Sequence, residues 1–276
     1  MRIVIIILLI ISSFAMDAQS INCNTFKWEG DSCKYEACIF VENSKGWFQL
    51  TKEFHLIFDE ALEICPDYYP AFRAKSVSYL KTGDFIKWKK YIDKAVAAKP
   101  ELYLGYRGWC RFQFFRDYEG CIKDLERLET LLTHDIGFCQ NGFYHLNIAK
   151  GMCFKMIGQK EKALQIMLDQ VNKDASSIGL FDYLHIGVLH LELGQLEEAE
   201  LIFKKQIKEN DIAENAYYMG LLEFEKNNKE EAIKYLEKAL RLYQEDSTLF
   251  DPYGHQVDKI YEIEIIEKIA EIKAAG

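Results

Sequence analysis

Residues 191–207 read LELGQLEEAELIFKKQI and residues 224–240 read FEKNNKEEAIKYLEKAL. In each, a glycine or asparagine closes one helical run (Gly194, Asn227) and an alanine follows five positions later (Ala199, Ala232). Two earlier stretches keep the pattern: YLKTGDFIKWKKYIDKAVAAKP (79–100), turning at Gly83 with Trp88 in the alanine position, and FKMIGQKEKALQIMLDQV (154–171), turning at Gly158 with Ala163. A further small residue precedes each turn by seven positions: Ser76, Gly151, Gly187 and Gly220. A residue that tolerates a positive φ closes a helix, and one small residue per helix lets two helices cross closely. Each unit therefore predicts a helix, a tight turn and a second helix.

The alanines at 163, 199 and 232 are 36 and 33 residues apart. A unit of this length cannot bury its apolar face alone, so neighbouring units must stack. The pattern resembles the tetratricopeptide repeat, whose aromatic and small positions are met by Phe72, Ser76, Tyr79, Gly83, Phe85, Ile92, Ala95 and Pro100, and again by Ala216, Gly220, Asn227, Ala232, Leu236 and Ala239. The resemblance implies an all-α, right-handed α-solenoid of stacked helical hairpins. It covers residues 35–246 in about six units, with an insertion at 129–143. Residues 19–34 read as an irregular N-terminal segment, and 247–276 as a turn, STLFDPYGHQ, followed by a capping helix.

The third unit contains YRGWCRFQFFRDYEGC (106–121). From Gly108 to Asp117 it is one residue longer than its neighbours, and Arg116 stands where a glycine would ease the turn. The extra residue leaves open the facing of Trp109 and Phe112.

At the N-terminus, Arg2 precedes the apolar run Ile3–Ile11 and small residues up to Ala18, the layout of a secretory signal peptide (1–18). The run is too short to span a bilayer, so the expectation is an exported protein, periplasmic or secreted, with no stable membrane insertion after signal removal. A net charge of −9 and a pI near 5.3 argue against nucleic acid, whose affinity comes from displaced counterions.

Eight cysteines in an exported chain raise the question of disulfides. Cys23 and Cys33 are candidates for a bridge to each other or to Cys38. Cys110, Cys121 and Cys153 read as small packing residues. His185 and His190 are five apart, which points them to different helix faces. No metal, cofactor or catalytic constellation emerges, so the expectation is no enzyme. The one thiol alternative rests on Cys139 and His134 in the insertion, without a third orienting group.

The resemblance further implies that the first helix of each hairpin lines a concave groove. Matching positions are Arg73, Val77, Leu80 and Lys81; Ile148, Met152 and Lys155; Leu184, Val188 and Leu191; Tyr217, Leu221 and Phe224, with Trp109 and Phe112 added from the third unit. Such a groove is apolar with a basic edge and fits a segment of a protein or peptide partner. The rival expectation is a structural component of a cell-envelope assembly whose groove is filled by the chain itself, through Phe250, Tyr253, Ile260, Tyr261 and Ile265.

Overall fold

The computed structural model describes residues 22–44, 48–173, 178–251 and 254–274; the expected signal peptide lies outside them. The chain divides into two compact units, residues 1–98 and 99–276. The first unit contains α1 (Asn24–Trp28), α2 (Ser32–Asn43), α3 (Lys52–Ile64), α4 (Tyr69–Lys81) and α5 (Phe85–Ala98). The second contains α6 (Pro100–Cys110), α7 (Tyr118–Leu131), α8 (Leu146–Met156), α9 (Lys160–Lys173), α10 (Asp182–Glu192), α11 (Leu196–Glu209), α12 (Ala213–Glu225), α13 (Lys229–Gln244) and α14 (Glu262–Ala274). No strand occurs among the described residues. The fold is a set of stacked helix pairs.

Within the first unit, α2 pairs with α3 and α4 with α5. Within the second, α6 pairs with α7, α8 with α9, α10 with α11 and α12 with α13. The leading helices of the second unit also meet in sequence, α6 with α8, α8 with α10 and α10 with α12. These contacts make one inner row.

The local sequence rules explain the pairs. Gly83, Gly158, Gly194 and Asn227 all adopt the left-handed φ that ends a helix (76°, 83°, 72° and 61°). At Gly187 an added Cβ would lie 2.5 Å from the Phe203 ring, so only glycine lets α10 and α11 pack this closely. In the third hairpin the extra residue is absorbed by a π-helical stretch, Arg111–Phe115, which continues α6. A π-turn takes in one residue more than an α-turn. Arg116 then closes the helix at φ 54°, a conformation glycine would adopt more cheaply.

The N-terminal segment corrects the expectation of irregular structure up to residue 34. Gly30 turns the chain at φ 76°, and Asp31 caps α2 by accepting from the Lys34 amide at 3.0 Å. Of the expected alternatives the structure takes the bridge to Cys38 for Cys23, not Cys23 with Cys33, and it pairs Cys33 with Cys65, which was not expected. The two sulfurs meet their partners because α1 folds back on α2, and α2 on α3.

The irregular segment between α7 and α8 runs from Leu132 to His145. His145 caps α8, its ring accepting from the Asn147 amide at 3.1 Å, while its other ring nitrogen pairs with Asp135. At the far end, Ile265 and Ile272 of α14 are buried with Leu236 and Ala239 of α13, covering the last hairpin.

Candidate functional site

The inner row of the second unit carries eleven of the fifteen expected groove residues. Seven of these eleven are buried: Trp109, Phe112, Ile148, Met152, Lys155, Leu184 and Val188. They do not face an open groove. The chain itself meets five of them, Trp109, Phe112, Lys155, Leu184 and Val188, from two directions.

The first covering piece is the insertion. Trp109 donates its indole N–H to the Tyr144 hydroxyl at 3.1 Å, and that hydroxyl donates to Gln113 Oε1 at 3.2 Å. Phe112 packs edge-on against the Tyr144 ring, with centroids 6.4 Å apart. Burial pushes the Tyr144 phenol well above its ordinary pKa, so it stays neutral and keeps both hydrogen bonds.

The second is the connector between α13 and α14, residues 245–261. It starts beside α12, where the Ala213 amide donates to the Ser247 carbonyl at 2.8 Å. Leu249 is fully buried in a cluster with Leu184, Val188, Phe203 and Met219. Its amide donates to Glu214 Oε2 at 2.7 Å, and its carbonyl accepts from Lys259 Nζ at 2.7 Å. Burial raises the Glu214 carboxyl above its usual range, against the lowering effect of the Leu249 hydrogen bond.

Further along, Asp251 accepts from Gln256 at 3.0 Å, and the His255 carbonyl accepts from Arg116 Nη2 at 2.8 Å. The connector thus reaches from the last hairpin of this unit to its first. It returns through Asp258, whose Oδ1 lies 2.6 Å from Lys155 Nζ and whose Oδ2 accepts from His185 Nδ1 at 2.8 Å. Burial alone would raise the Asp258 carboxyl, but the His185 hydrogen bond and the Lys155 charge outweigh it and hold the pKa below the usual carboxylate range. Lys155 has a second partner in Glu192, at 3.0 Å.

The rival set of groove occupants is therefore only partly the right one. Phe250 is 63% exposed and Tyr261 46%. Ile260 and Ile265 are buried in the cluster that also takes in Tyr217 and Phe224 of α12, two of the expected groove residues; Tyr253 lies outside the described residues. Leu249 and Asp258, which that set omits, meet further groove residues: Leu249 clusters with Leu184 and Val188, and Asp258 pairs with Lys155. Val188 belongs to the same core as Leu249, so a charge introduced there breaks packing and does not report on a ligand. Leu191 and Leu221 are half-buried. Beside the point where the connector enters, Phe143, Leu180, Phe181, Ile212 and Phe250 help line an open notch of ≈ 280 Å³.

In the first unit the corresponding residues stand on α4. Arg73, Val77 and Leu80 are half-buried, while Lys81 is exposed and donates to Gln49 Oε1 at 2.7 Å.

The thiol alternative has no support in the geometry. Cys139 is buried, burial pushes its pKa up, and its thiol donates to Asn141 Oδ1 at 2.8 Å. His134 directs its ring nitrogen to the carbonyl of the next residue, Asp135, at 2.9 Å. Cys33, Cys65 and Asp67 come within metal-binding reach of one another, yet both sulfurs are spent in the disulfide. Cys110, Cys121 and Cys153 are buried thiols. Sequence reasoning missed His185 as part of the site, because its partner is 73 positions away.

The tetratricopeptide repeat family profile matches residues 74–102, 183–211 and 213–246. No curated protein matches the chain. Among solved structures the chain is similar to PilW, a type IV pilus biogenesis factor, at 15% identity and a TM-score of 0.54, over 80% of this chain and 90% of that one. It is similar to PilF of Pseudomonas aeruginosa at 14% identity and a TM-score of 0.55, over 80% and 94%. It is also similar to MamA of Desulfovibrio magneticus RS-1 at 17% identity and a TM-score of 0.54, over 64% and 96%. At these identities the likeness is one of fold.

Proposed function

We propose that this chain, a tetratricopeptide-repeat protein, is an exported scaffold that acts by contact and not by catalysis. The concave side of its second unit is held by its own connector, and partner binding falls to helix α4 of the first. The observation that carries this reading is the seating of Leu249 and Asp258 among residues that a partner would otherwise occupy. On α4, Val77 and Leu80 remain partly uncovered, and the charges of Arg73 and Lys81 suit an acidic or carboxylate-bearing segment.

Two disulfides support an oxidising compartment, periplasmic or extracellular. The apolar run at Ile3–Ile11 supports export. No helix among the described residues is long and apolar enough to cross a membrane.

A second reading, a structural part of an envelope assembly, is favoured by the same filled groove. Photo-crosslinking in the native host separates the two. A crosslinker at Leu80 is expected to capture a protein partner, while one at Leu221 is not. Capture at Leu221 without Leu80 contradicts the proposal, and capture only from Leu201, exposed on α11, favours the structural reading.

A further inference from the structure

The turn end of the α4–α5 hairpin carries a surface that the groove does not use. Ile86 is 86% exposed and Phe48 68%, and Leu50 and Phe85 are each more than 40% exposed. Gln49 holds the Phe48–Leu50 loop to this end: its carbonyl accepts from Ser78 Oγ and its side-chain oxygen from Lys81 Nζ, both at 2.7 Å. Phe85 and Ile86 open α5 immediately after the turn that follows Lys81. Four apolar side chains thus stand at one end of one hairpin.

Lysines accompany them. Lys87, Lys89 and Lys90 are exposed in the first two turns of α5. Residues 69–99 hold eight basic residues and two acidic ones, a net charge of +6 inside a chain whose total is −9. The two acidic residues, Asp84 and Asp93, pair with Lys87 at 2.9 Å and Lys89 at 2.5 Å. Such exposed pairs contribute little and exchange readily for another anion. Asp59, which α3 brings to this hairpin, is engaged with the buried Lys75. Lys90 lies over the Tyr91 ring, 5.8 Å from its centroid, with its ammonium at the surface.

An occupant must be anionic where it meets the lysines and apolar where it meets Ile86 and Phe48. A folded protein partner would need a cavity shaped to a side chain that projects almost whole from the surface. A lipid interface needs no such cavity: it accepts apolar side chains at the boundary between headgroups and acyl chains, and its phosphates attract lysines. The rest of α5 stays in the protein, since Trp88, Ile92, Ala95 and Val96 are buried, so only the tip can enter.

We propose that this tip is a docking site for anionic phospholipid surfaces, with Ile86 and Phe48 entering the interface and Lys87, Lys89 and Lys90 holding headgroup phosphates. Docking is peripheral and requires no spanning segment. Its anchors Ile86 and Phe48 lie outside the α4 site, with which it shares Lys81 through Gln49.

The test is co-sedimentation of the processed chain, residues 19–276, with phosphatidylcholine vesicles made with and without phosphatidylglycerol. Binding is expected only to the anionic vesicles and is expected to weaken with added salt. Ile86→Asp is expected to weaken it at least about tenfold, and Lys89→Glu with Lys90→Glu by about fivefold or more per lysine. Leu201→Asp, at an exposed site on α11, is expected to bind like the unaltered chain. All these positions lie on the surface, and circular dichroism checks that each variant is folded. Equal sedimentation with both vesicle types overturns the proposal, as does unweakened binding by Ile86→Asp and the double lysine variant, or an equal loss in Leu201→Asp.

Discussion

Lys155 on α8 and Asp258 on the connector stand 103 positions apart in the chain and meet at 2.6 Å, each largely shielded from solvent. His185 completes the contact from α10. The pair ties the last segment of the chain to the middle of the inner row, which turns an expected ligand groove into a packed interior.

Removing one partner of a buried pair strands the other. Asp258→Ala leaves Lys155 with only the partly exposed Glu192, and His185 without its acceptor. The expected cost is about 3 kcal/mol, read as a lower urea midpoint at unchanged m. Replacing the pair together, Lys155→Met with Asp258→Leu, is expected to cost clearly less. Equal losses in the single and double variants would contradict the pairing.

Asp182, at the start of α10, gives a pH signature. Burial raises its carboxyl to about 6, with the Gly179 amide and His185 acting against that rise. The folded state therefore binds this proton more tightly than the unfolded state, whose value is 3.8. The stabilising contribution is complete below pH 3.8 and is lost as pH rises towards 6. Asp182→Asn is expected to flatten this slope, recovering up to about 3 kcal/mol at neutral pH relative to the unaltered chain. Parallel stability curves for the two proteins across this window would contradict it.

Disulfide mapping has a definite expected outcome. Non-reducing peptide analysis should yield Cys23–Cys38 and Cys33–Cys65, with thiols at Cys110, Cys121, Cys139 and Cys153. Removing Cys33–Cys65 by paired serine substitution is expected to cost about 4 kcal/mol, the order set by closing a loop that spans 32 positions. A Cys23–Cys33 peptide would contradict the fold of α1 on α2.

Gly187→Ala tests the closest helix crossing. Its new methyl would overlap the Phe203 ring, so the expected loss is about 1–3 kcal/mol by thermal or chemical denaturation. Alanine at Gly254, where the nearest atom would be 3.2 Å away on the flexible Gln113 side chain, should cost clearly less.

Much of the repeat architecture was legible because its rules are local. A turn residue such as Gly194, a small residue seven positions before it and another five after it specify one hairpin without reference to the rest of the chain. The additional residue between Gly108 and Asp117 was equally visible, and it became the π-helical stretch. That the chain fills its own groove was legible as the rival expectation, but its occupants were only partly so. Leu249 and Asp258 sit in a segment rich in turn residues, and their partners are distant in sequence, His185 by 73 positions and Lys155 by 103. Cys65 was overlooked as a bridge partner because it follows α3 inside a repeat-like stretch, while Cys33 approaches it only once α2 has folded back on α3. The helix α1 and the first turn of α2 escaped notice because Gly30, Asp31 and a disulfide define them more than any periodicity does.

The seating of the connector is tested most directly by native-state hydrogen exchange on the peptide containing Leu249, whose amide is bonded to the buried Glu214. The filled groove predicts that this amide exchanges as slowly as the core amides of α10 and α12. Exchange at the rate of an open chain, with α10 and α12 still protected, would contradict it.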